Sequence, residues 1–308
     1  MTENKKPLIV IVGPTAVGKT ELSIRLAQAF SGEIISADSR LFYRGMDIGT
    51  AKPTREEIAR VPHHLIDVAA PDHEWSLGMY LSRVVKVIDD IQQRGSIPFL
   101  VGGTGQYIQA ITEGWDLPKT KPNPKLRDTL ERWAEQIGVK GMRERLAYLD
   151  SDAAAGIEGP NLRRIIRALE VILSSGRKFS EQKVKLGSPY RVLQIGLIRP
   201  REELYERIDQ RVEIMLEQGL EVEVKTLLEA GYNPESSAMS AIGYKQMAYY
   251  LSGEISFDEA VRQIKSKTHK YVRHQANWFK KDDPDITWFA ASVDPFEDIL
   301  NEIQQFLS

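Results

Sequence analysis

One segment of the sequence has residue types and spacing suited to binding phosphate groups. It comprises Gly13, Pro14, Thr15, Ala16, Val17, Gly18, Lys19 and Thr20, follows the apolar run Leu8–Val12 and opens a predicted helix. This is the G-x-x-x-x-G-K-[ST] pattern in its usual context. The glycines allow successive N–H groups to surround phosphate oxygens, and Lys19 adds a positive charge. The Thr20 hydroxyl is predicted to ligate Mg²⁺, whose other ligands would be water and phosphate oxygens.

A carboxylate closes the second predicted strand, Glu33–Asp38, and is followed by Ser39. Open α/β sheets bind ligands at the carboxyl ends of their strands. Asp38 in that position could accept a proton from an attacking nucleophile. The pair Asp-Ser is also favoured in turns, so the position alone leaves a turn or capping role open.

The phosphate segment does not identify the reaction, because backbone amides and Mg²⁺ bind a diphosphate whatever is esterified to it. Many phosphoryl-transfer enzymes hold Mg²⁺ with an acidic residue at the end of a later strand. The candidate strand here ends Leu100-Val-Gly-Gly-Thr104, with glycines and a hydroxyl instead. This weakens the case for a P-loop kinase or NTPase acting on a small molecule, but that alternative stays open. So does a non-catalytic RNA-binding protein that uses nucleotide as a structural ligand.

Positive charge is concentrated in two segments of a chain whose formal net charge is −2. Residues 162–191 carry +6 and residues 262–281 carry +7, which leaves −15 for the remainder. Solvated helix faces are often basic, and this is one interpretation of the two segments. Contact with a polyanion is the other.

Composition and hydropathy indicate an ordinary globular protein of 308 residues without cysteine. We predict a cytoplasmic location and no membrane role, because no apolar run approaches the roughly 18 residues that span a bilayer. Strands alternating with helices predict an α/β fold with a P-loop NTPase-like parallel sheet flanked by helices. Prolines after Trp115 and helical patterns beyond them predict an all-helical insertion at 118–190, leaving 1–117 and 191–308 as the catalytic core.

Several motifs together resemble the bacterial tRNA dimethylallyltransferase family, also called the tRNA isopentenyltransferase or IPP transferase family. The long element Tyr43–Pro53 is the most specific of them. The others are Gly13–Thr20, Ser36–Ser39, Val101–Thr104, Arg164–Val171, Ile242–Lys245 and Arg273–Phe279. The resemblance covers nearly the whole chain, and the absence of cysteine excludes the zinc finger of eukaryotic members.

The resemblance implies transfer of a dimethylallyl group from dimethylallyl diphosphate to N6 of the adenine 3′-adjacent to the anticodon in tRNA. The diphosphate would lie in the Gly13–Thr20 segment with Mg²⁺. Asp38 would be the general base, Thr104 would bind near the nucleotide, and Arg211 would neutralise the departing diphosphate. Pairing of Arg211 with surface glutamates is the alternative.

The same resemblance implies contacts with the anticodon stem-loop of tRNA. We also predict that the protein is a monomer. The predicted tRNA-binding residues are Asp38, Ser39, Arg40, Leu41, Thr104, Arg127, Arg163, Arg164, Arg167, Gly243, Tyr244, Lys245, Lys270 and Arg273. Arg163, Arg164 and Arg167 are expected on one helical face of the insertion. Lys270, Arg273, His274 and Gln275 are expected on another near the C-terminus, within residues 262–281.

Overall fold

The computed structural model describes residues 5–118, 120–182 and 184–308, and these form two compact units. The core unit contains the chain up to Thr112 together with Ser188–Ser308, and the insertion unit is Glu113–Gly187. The sequence placed the insertion at 118–190. In the structure both bounds of the insertion come earlier, because Trp115–Asp116 pairs antiparallel with Val184–Lys185 inside the insertion unit.

The strands come in chain order as follows. They are β1 (Pro7–Val12), β2 (Gly32–Ser36), β3 (His63–His64), β4 (Ile97–Gly102), β5 (Trp115–Asp116), β6 (Val184–Lys185), β7 (Arg191–Ile198) and β8 (Ile286–Ala290). The core sheet has the order β3-β2-β4-β1-β7-β8, and its described pairs are all parallel. The predicted return of the chain to the parent sheet after the insertion is therefore confirmed, since β7 pairs with β1.

The helices of the core unit pack on this sheet or on one another. They are α1 (Lys19–Ala29), α2 (Arg55–Arg60), α3 (Leu77–Gln93), α4 (Gly105–Thr112), α8 (Arg201–Glu217), α9 (Leu220–Glu229), α10 (Tyr244–Leu251), α11 (Phe257–Gln275) and α12 (Phe296–Leu307). The insertion unit contains α5 (Pro124–Leu149), α6 (Ser151–Ala155) and α7 (Leu162–Ser175). In the described ranges, none of the helices is both long and apolar enough to cross a bilayer.

Strand β1 is apolar along its length because both faces of the sheet are covered, as in parallel sheets generally. Ile9 and Ile11 pack into one cluster with residues of α1, and Leu8 and Val10 pack into another with residues of α3. The predicted α/β fold class is confirmed. The register aligns Val12 with Gly102 across β1 and β4, so the loops that follow these strands leave the sheet at the same edge.

A buried carboxylate organises the insertion unit. Glu170 on α7 is fully buried and accepts hydrogen bonds from Arg167 at 2.7 Å, from the Asn123 N–H at 2.7 Å and from Arg127 at 3.0 Å. Burial favours the neutral carboxyl, but these donors outweigh it and hold the pKa of Glu170 below its usual 4.5. Arg167 also donates to the Thr120 carbonyl at 3.0 Å. Glu170 therefore joins the start of α5 to α7.

We expect Glu170→Ala to destabilise the insertion unit by about 3 kcal/mol or more, because it leaves two arginines without their buried partner. Hydrogen exchange of the α5 and α7 amides measures this loss. Since the pKa of Glu170 is depressed on folding, its contribution should be present above pH 4.5 and should disappear as the pH falls below that value. The control is Glu131→Ala, an exposed position on α5. Equal protection in both variants would contradict the role assigned to Glu170.

Candidate active site

The phosphate-binding segment forms a loop between β1 and α1 whose backbone conformation requires glycine. Gly13 has φ +150° and Gly18 has φ +112°. A Cβ atom on Gly13 would lie 2.8 Å from the Leu197 carbonyl oxygen, too close for any side chain. Gly18 precedes the first residue of α1, so the loop runs directly into a helix N-terminus, where anions are stabilised.

Side chains from outside the loop hold its carbonyl groups. Arg207 Nε donates to the Ala16 oxygen at 2.8 Å, and Arg199 Nε donates to the Val17 oxygen at 2.9 Å. The Lys19 ammonium donates to the oxygens of Gly13 and Pro14 at 2.9 and 2.8 Å. With these carbonyls engaged, most of the loop N–H groups stay free, and the exceptions are those of Val17, which donates to the Pro14 oxygen at 3.4 Å, and of Thr15. The Thr15 N–H is already bonded to Gln275, so any Thr15 contact with diphosphate must use another atom or replace that bond.

Lys19 and Arg211 are two half-buried cations that make no ion pair with the described residues. The pKa of Lys19 is lowered to about 8, because the lowering by burial, with a smaller one from the charge of Arg211, outweighs the raising by the charge of Asp38. Burial also lowers the pKa of Arg211, with a contribution from Arg207. Arg211 makes no hydrogen bond or ion pair with any residue that the structure describes. The predicted alternative, pairing with surface glutamates, is therefore not what this arginine does, and it is available to an anionic ligand.

Asp38 lies within electrostatic range of this site, at the end of β2. Its Oδ1 accepts the Arg40 N–H at 2.9 Å, which is the turn contact left open by the sequence. Oδ2 has no hydrogen-bond partner in the described part of the chain. The next N–H, that of Ser39, donates to Thr104 Oγ1 at 3.2 Å. One carboxylate oxygen thus fixes the turn, and the other is free to accept a proton.

A cavity of about 220 Å³ lies beside Thr104. Its walls are Ser39, Gly103, Thr104, Gly105, Gln106, Tyr271, His274, Gln275 and Trp278. Tyr271 is 38% exposed and lines this cavity with Thr104, and partial burial together with the charge of Asp38 raises the pKa of Tyr271 to about 12. The sequence analysis did not identify Tyr271. Its spacing from Gln275 and Trp278, four and seven residues along the chain, could have indicated a shared helical face.

The predicted tRNA-binding residues fall into different environments. Arg163, Arg164, Lys270 and Arg273 are exposed, while Arg40, Leu41 and Lys245 are half-buried. Arg127 and Arg167 hold Glu170, although 32% of each side chain stays exposed. Gly243 and Tyr244 are buried.

Two expectations for nucleic-acid contact need correction. Tyr244 is fully buried, and its hydroxyl donates to Glu223, which also accepts the N–H groups of Ile48 and Gly49. Tyr244 therefore helps to fix the loop after Tyr43 and is not accessible to a nucleic acid. Gln275 was expected on the basic face of its helix but is 4% exposed. It lies on the opposite side of α11, toward the phosphate loop, because α11 packs that face on the core unit.

The region around Thr20 fits an Mg²⁺ ion whose ligands would come mainly from a bound phosphate group and water. The Thr20 hydroxyl has no hydrogen-bond partner among the described residues and lies in the first turn of α1. Within those residues there is also no group of three or more acidic, histidine or cysteine side chains that could hold a metal ion. A hydroxyl of this kind combines with phosphate oxygens and water in the octahedral shell that Mg²⁺ prefers.

A parallel sheet whose central strand leads through a G-x-x-x-x-G-K-T loop into a helix defines a P-loop-like α/β protein. Residues 41–282 match the family model described as IPP transferase, and residues 6–69 match the model described as isopentenyl transferase. The chain belongs to the IPP transferase family, whose curated relatives are tRNA dimethylallyltransferases. The predictions of family and of a transferase enzyme are confirmed.

Relatives and solved structures match over nearly the whole chain. The tRNA dimethylallyltransferase of Roseiflexus sp. (strain RS-1) is 52% identical over 275 residues, covering 89% of this chain and 90% of the relative. That of Herpetosiphon aurantiacus is 45% identical and covers 98% and 95%. The crystal structure of the Bacillus halodurans tRNA isopentenylpyrophosphate transferase is 41% identical, covers 98% and 96%, and has a TM-score of 0.73. A eukaryotic dimethylallyltransferase solved acting on tRNA is 30% identical, covers 97% and 77%, and has a TM-score of 0.81.

The lowered pKa of Lys19 predicts a pH dependence of diphosphate binding. Below about pH 8 the ammonium is charged in the free protein, so affinity should be nearly constant. Above it, binding must take up a proton, and affinity should fall by up to about tenfold per pH unit. Calorimetry with isopentyl diphosphate, a saturated and unreactive ester, measures this between about pH 7 and 10. Lys19→Met should bind weakly without that decline, and the same decline in this variant would contradict the assignment to Lys19.

Proposed function

We propose that this chain transfers a dimethylallyl group from dimethylallyl diphosphate to N6 of the adenine 3′-adjacent to the anticodon of tRNA. Family membership supports the reaction class. The observation that carries the proposal is the placement of a free carboxylate oxygen of Asp38 within electrostatic range of Lys19, a half-buried cation without an ion-pair partner among the described residues. One group can take a proton from an amine while the other receives an anionic leaving group.

The donor would bind with its diphosphate against the N–H groups of the loop and the start of α1. Lys19 would exchange its bonds with the Gly13 and Pro14 carbonyls for bonds with phosphate oxygens. Arg211, which has no described protein partner, would complete the neutralisation. Because these cations are half-buried, their attraction for developing negative charge is screened less than it would be in water. Thr20 would hold Mg²⁺, which supplies further positive charge on the diphosphate when bound.

Transfer breaks the ester C–O bond between the allylic carbon and the diphosphate, and the electron pair leaves with the diphosphate. The N6 lone pair forms the new C–N bond. Adenine N6 is a weak nucleophile because its lone pair is delocalised into the ring, so its orientation and proton loss matter. Asp38 would accept the N6 proton through its free oxygen. Thr104 would help to position the base, since its hydroxyl accepts the Ser39 N–H and it lines a cavity together with Tyr271.

The acceptor adenine must leave its stack before N6 can reach the site. Bases in RNA loops are partly unstacked, which lowers the cost of flipping, and proteins commonly bind them through stacking and phosphate contacts. Arg163 and Arg164 on the insertion unit, and Lys270 and Arg273 on the core unit, are exposed basic residues of the kind that bind phosphates. That the protein acts in the cytoplasm, and as a monomer, stays a prediction.

Labelled transfer tests the proposed function. Purified protein, Mg²⁺, labelled dimethylallyl diphosphate and unmodified tRNA should give label in the RNA. Formation of ADP from ATP and a small metabolite, without RNA labelling, would indicate the kinase or NTPase alternative. A protein that gave neither product but retarded tRNA in a gel, with steep salt dependence, would be a non-catalytic binder.

We expect Asp38→Asn to lower the single-turnover rate of transfer by on the order of 10²-fold or more, the usual scale for a lost acid–base group. The amide oxygen can still accept the Arg40 N–H, so diphosphate and tRNA affinity should be retained. Asp72→Asn, at an exposed position without a described partner, is the matched control. A wild-type rate in Asp38→Asn would remove the base assignment.

Arg163→Ala and Arg164→Ala should each weaken tRNA binding and reduce the slope of log K against log salt by about 1, because each removes a cation free to bind a phosphate. Affinity for isopentyl diphosphate should not change. Filter binding at several salt concentrations measures the slope. Lys140→Ala, an exposed lysine on α5 of the same unit, controls for a general change in charge. An unchanged slope in both arginine variants would place the tRNA elsewhere.

A further inference from the structure

The phosphate loop and the loop after β4 are joined by a single buried amide. We call residues 13–20 the donor loop and residues 103–104 the acceptor loop. Gln275, at the end of α11, is 4% exposed. Its Oε1 accepts the Thr15 N–H of the donor loop at 2.9 Å, and its Nε2 donates to the Gly103 carbonyl of the acceptor loop at 3.0 Å.

The residue types at both ends of this bridge are set by its geometry. A Cβ atom on Gly103 would lie 2.2 Å from Gln275 Nε2 and 3.4 Å from the Gly13 oxygen, so only glycine admits the amide between the loops. The two bonds need an acceptor and a donor at the tip of one planar group. Glutamine supplies both, an ionised glutamate supplies acceptors only, and methionine of similar length supplies neither in useful strength.

The bridge continues toward the groups that would receive the acceptor base. Thr104 follows Gly103 directly, and its side chain accepts the Ser39 N–H and lines the same cavity as Tyr271. Ser39 in turn follows Asp38. A shift of Gly103 would therefore be transmitted to Thr104 and to the Asp38 turn, while a shift of Thr15 would move the donor loop.

We propose that Gln275 is a positioning residue that sets the separation between the leaving group on the donor loop and the nucleophile held beside the acceptor loop. The inference rests on the proposed transfer reaction. Reacting atoms must approach to about 3–3.5 Å, and a misplacement of about 1 Å can lower a rate by roughly 10²-fold. Gln275 contacts neither substrate in this role, and it acts through the two loops that it joins.

The test uses two substitutions that keep the length of the side chain. Gln275→Met removes both hydrogen bonds. Gln275→Glu retains the acceptor for Thr15, but its second oxygen faces the Gly103 carbonyl when ionised and can donate to it only when protonated. The control is Gln92→Met, because Gln92 is a half-buried glutamine whose Nε2 donates to the Pro7 carbonyl at 2.9 Å. That bond lies at the amino end of β1, away from the site.

We expect Gln275→Met to lower the single-turnover rate by roughly tenfold to a hundredfold, with a smaller effect on affinity for isopentyl diphosphate. Gln92→Met should transfer at the wild-type rate even if its melting temperature falls. The ratio of the Gln275→Glu rate to the wild-type rate should rise as the pH is lowered from about 9 to 6, as the glutamate gains the proton that restores the donor. Tyr271 and His274 line the same cavity in both proteins, so the wild-type rate measured at each pH is the reference.

The proposal would be overturned if Gln275→Met transferred at the wild-type rate, or if Gln275→Met and Gln92→Met lost the same fraction of that rate. A failure of the proposed function is distinguishable, because the wild-type protein itself would then transfer no label. If the Gln275 variants do not fold, NMR of the wild-type protein decides. The Gln275 side-chain NH₂ should exchange slowly with water and shift when isopentyl diphosphate binds, and exchange as fast as that of an exposed glutamine would overturn the inference.

Discussion

The site depends on positive charge at two half-buried residues, Lys19 and Arg211, that no ion pair among the described residues neutralises. Lys19 is held inside the loop by two carbonyl oxygens, and Arg211 has no described hydrogen-bond partner. Taking cations partly out of water is costly, and the lowered pKa values of both groups reflect that cost, part of which the charge of Asp38 offsets at Lys19. An anionic ligand relieves it. A site of this kind therefore favours the state with the most negative charge, which in diphosphate departure is the state reached after bond cleavage.

Such a site needs a rigid frame, and here the frame comes from distant parts of the chain. Arg199 and Arg207 bind carbonyls of the donor loop, and Gln275 joins that loop to Gly103. These residues follow β7 or end α11, far from the loop in sequence. They keep the loop carbonyls occupied, so its free amides are its main means of binding an anion. Preorganised dipoles of this type stabilise charge without reorganising during the reaction.

The same physical rule explains why some arginines are structural and others are available. Glu170 is fully buried, so it requires donors, and Arg127 and Arg167 supply them. Arg163 and Arg164 lie on the exposed side of the same helix, and their side chains pair with no carboxylate among the described residues. Helical spacing groups Arg163, Arg164 and Arg167 together, but only the location of the carboxylate separates their roles.

The sequence by itself determined the features that depend on local pattern. The apolar run before Gly13 and the glycine spacing predicted strand, loop and helix, and the motifs from Tyr43 to Phe279 predicted the family. The order of elements predicted a parallel sheet, which places Asp38 and the donor loop at one edge. These inferences succeed because backbone conformation at glycine and the burial of a central strand are properties of short segments.

Tertiary structure decided what depends on partners far away in the chain. Tyr244 is buried where its hydroxyl donates to Glu223. Gln275 points inward because α11 packs on the rest of the core unit. Tyr271 gains its place beside Asp38 only when α11 meets the loop after β4. The short edge strand β3 and the added strand β8 also escaped prediction, since each forms by pairing with a strand already present. Hydrogen bonds between distant residues leave no periodic signal, so only the folded chain reveals them.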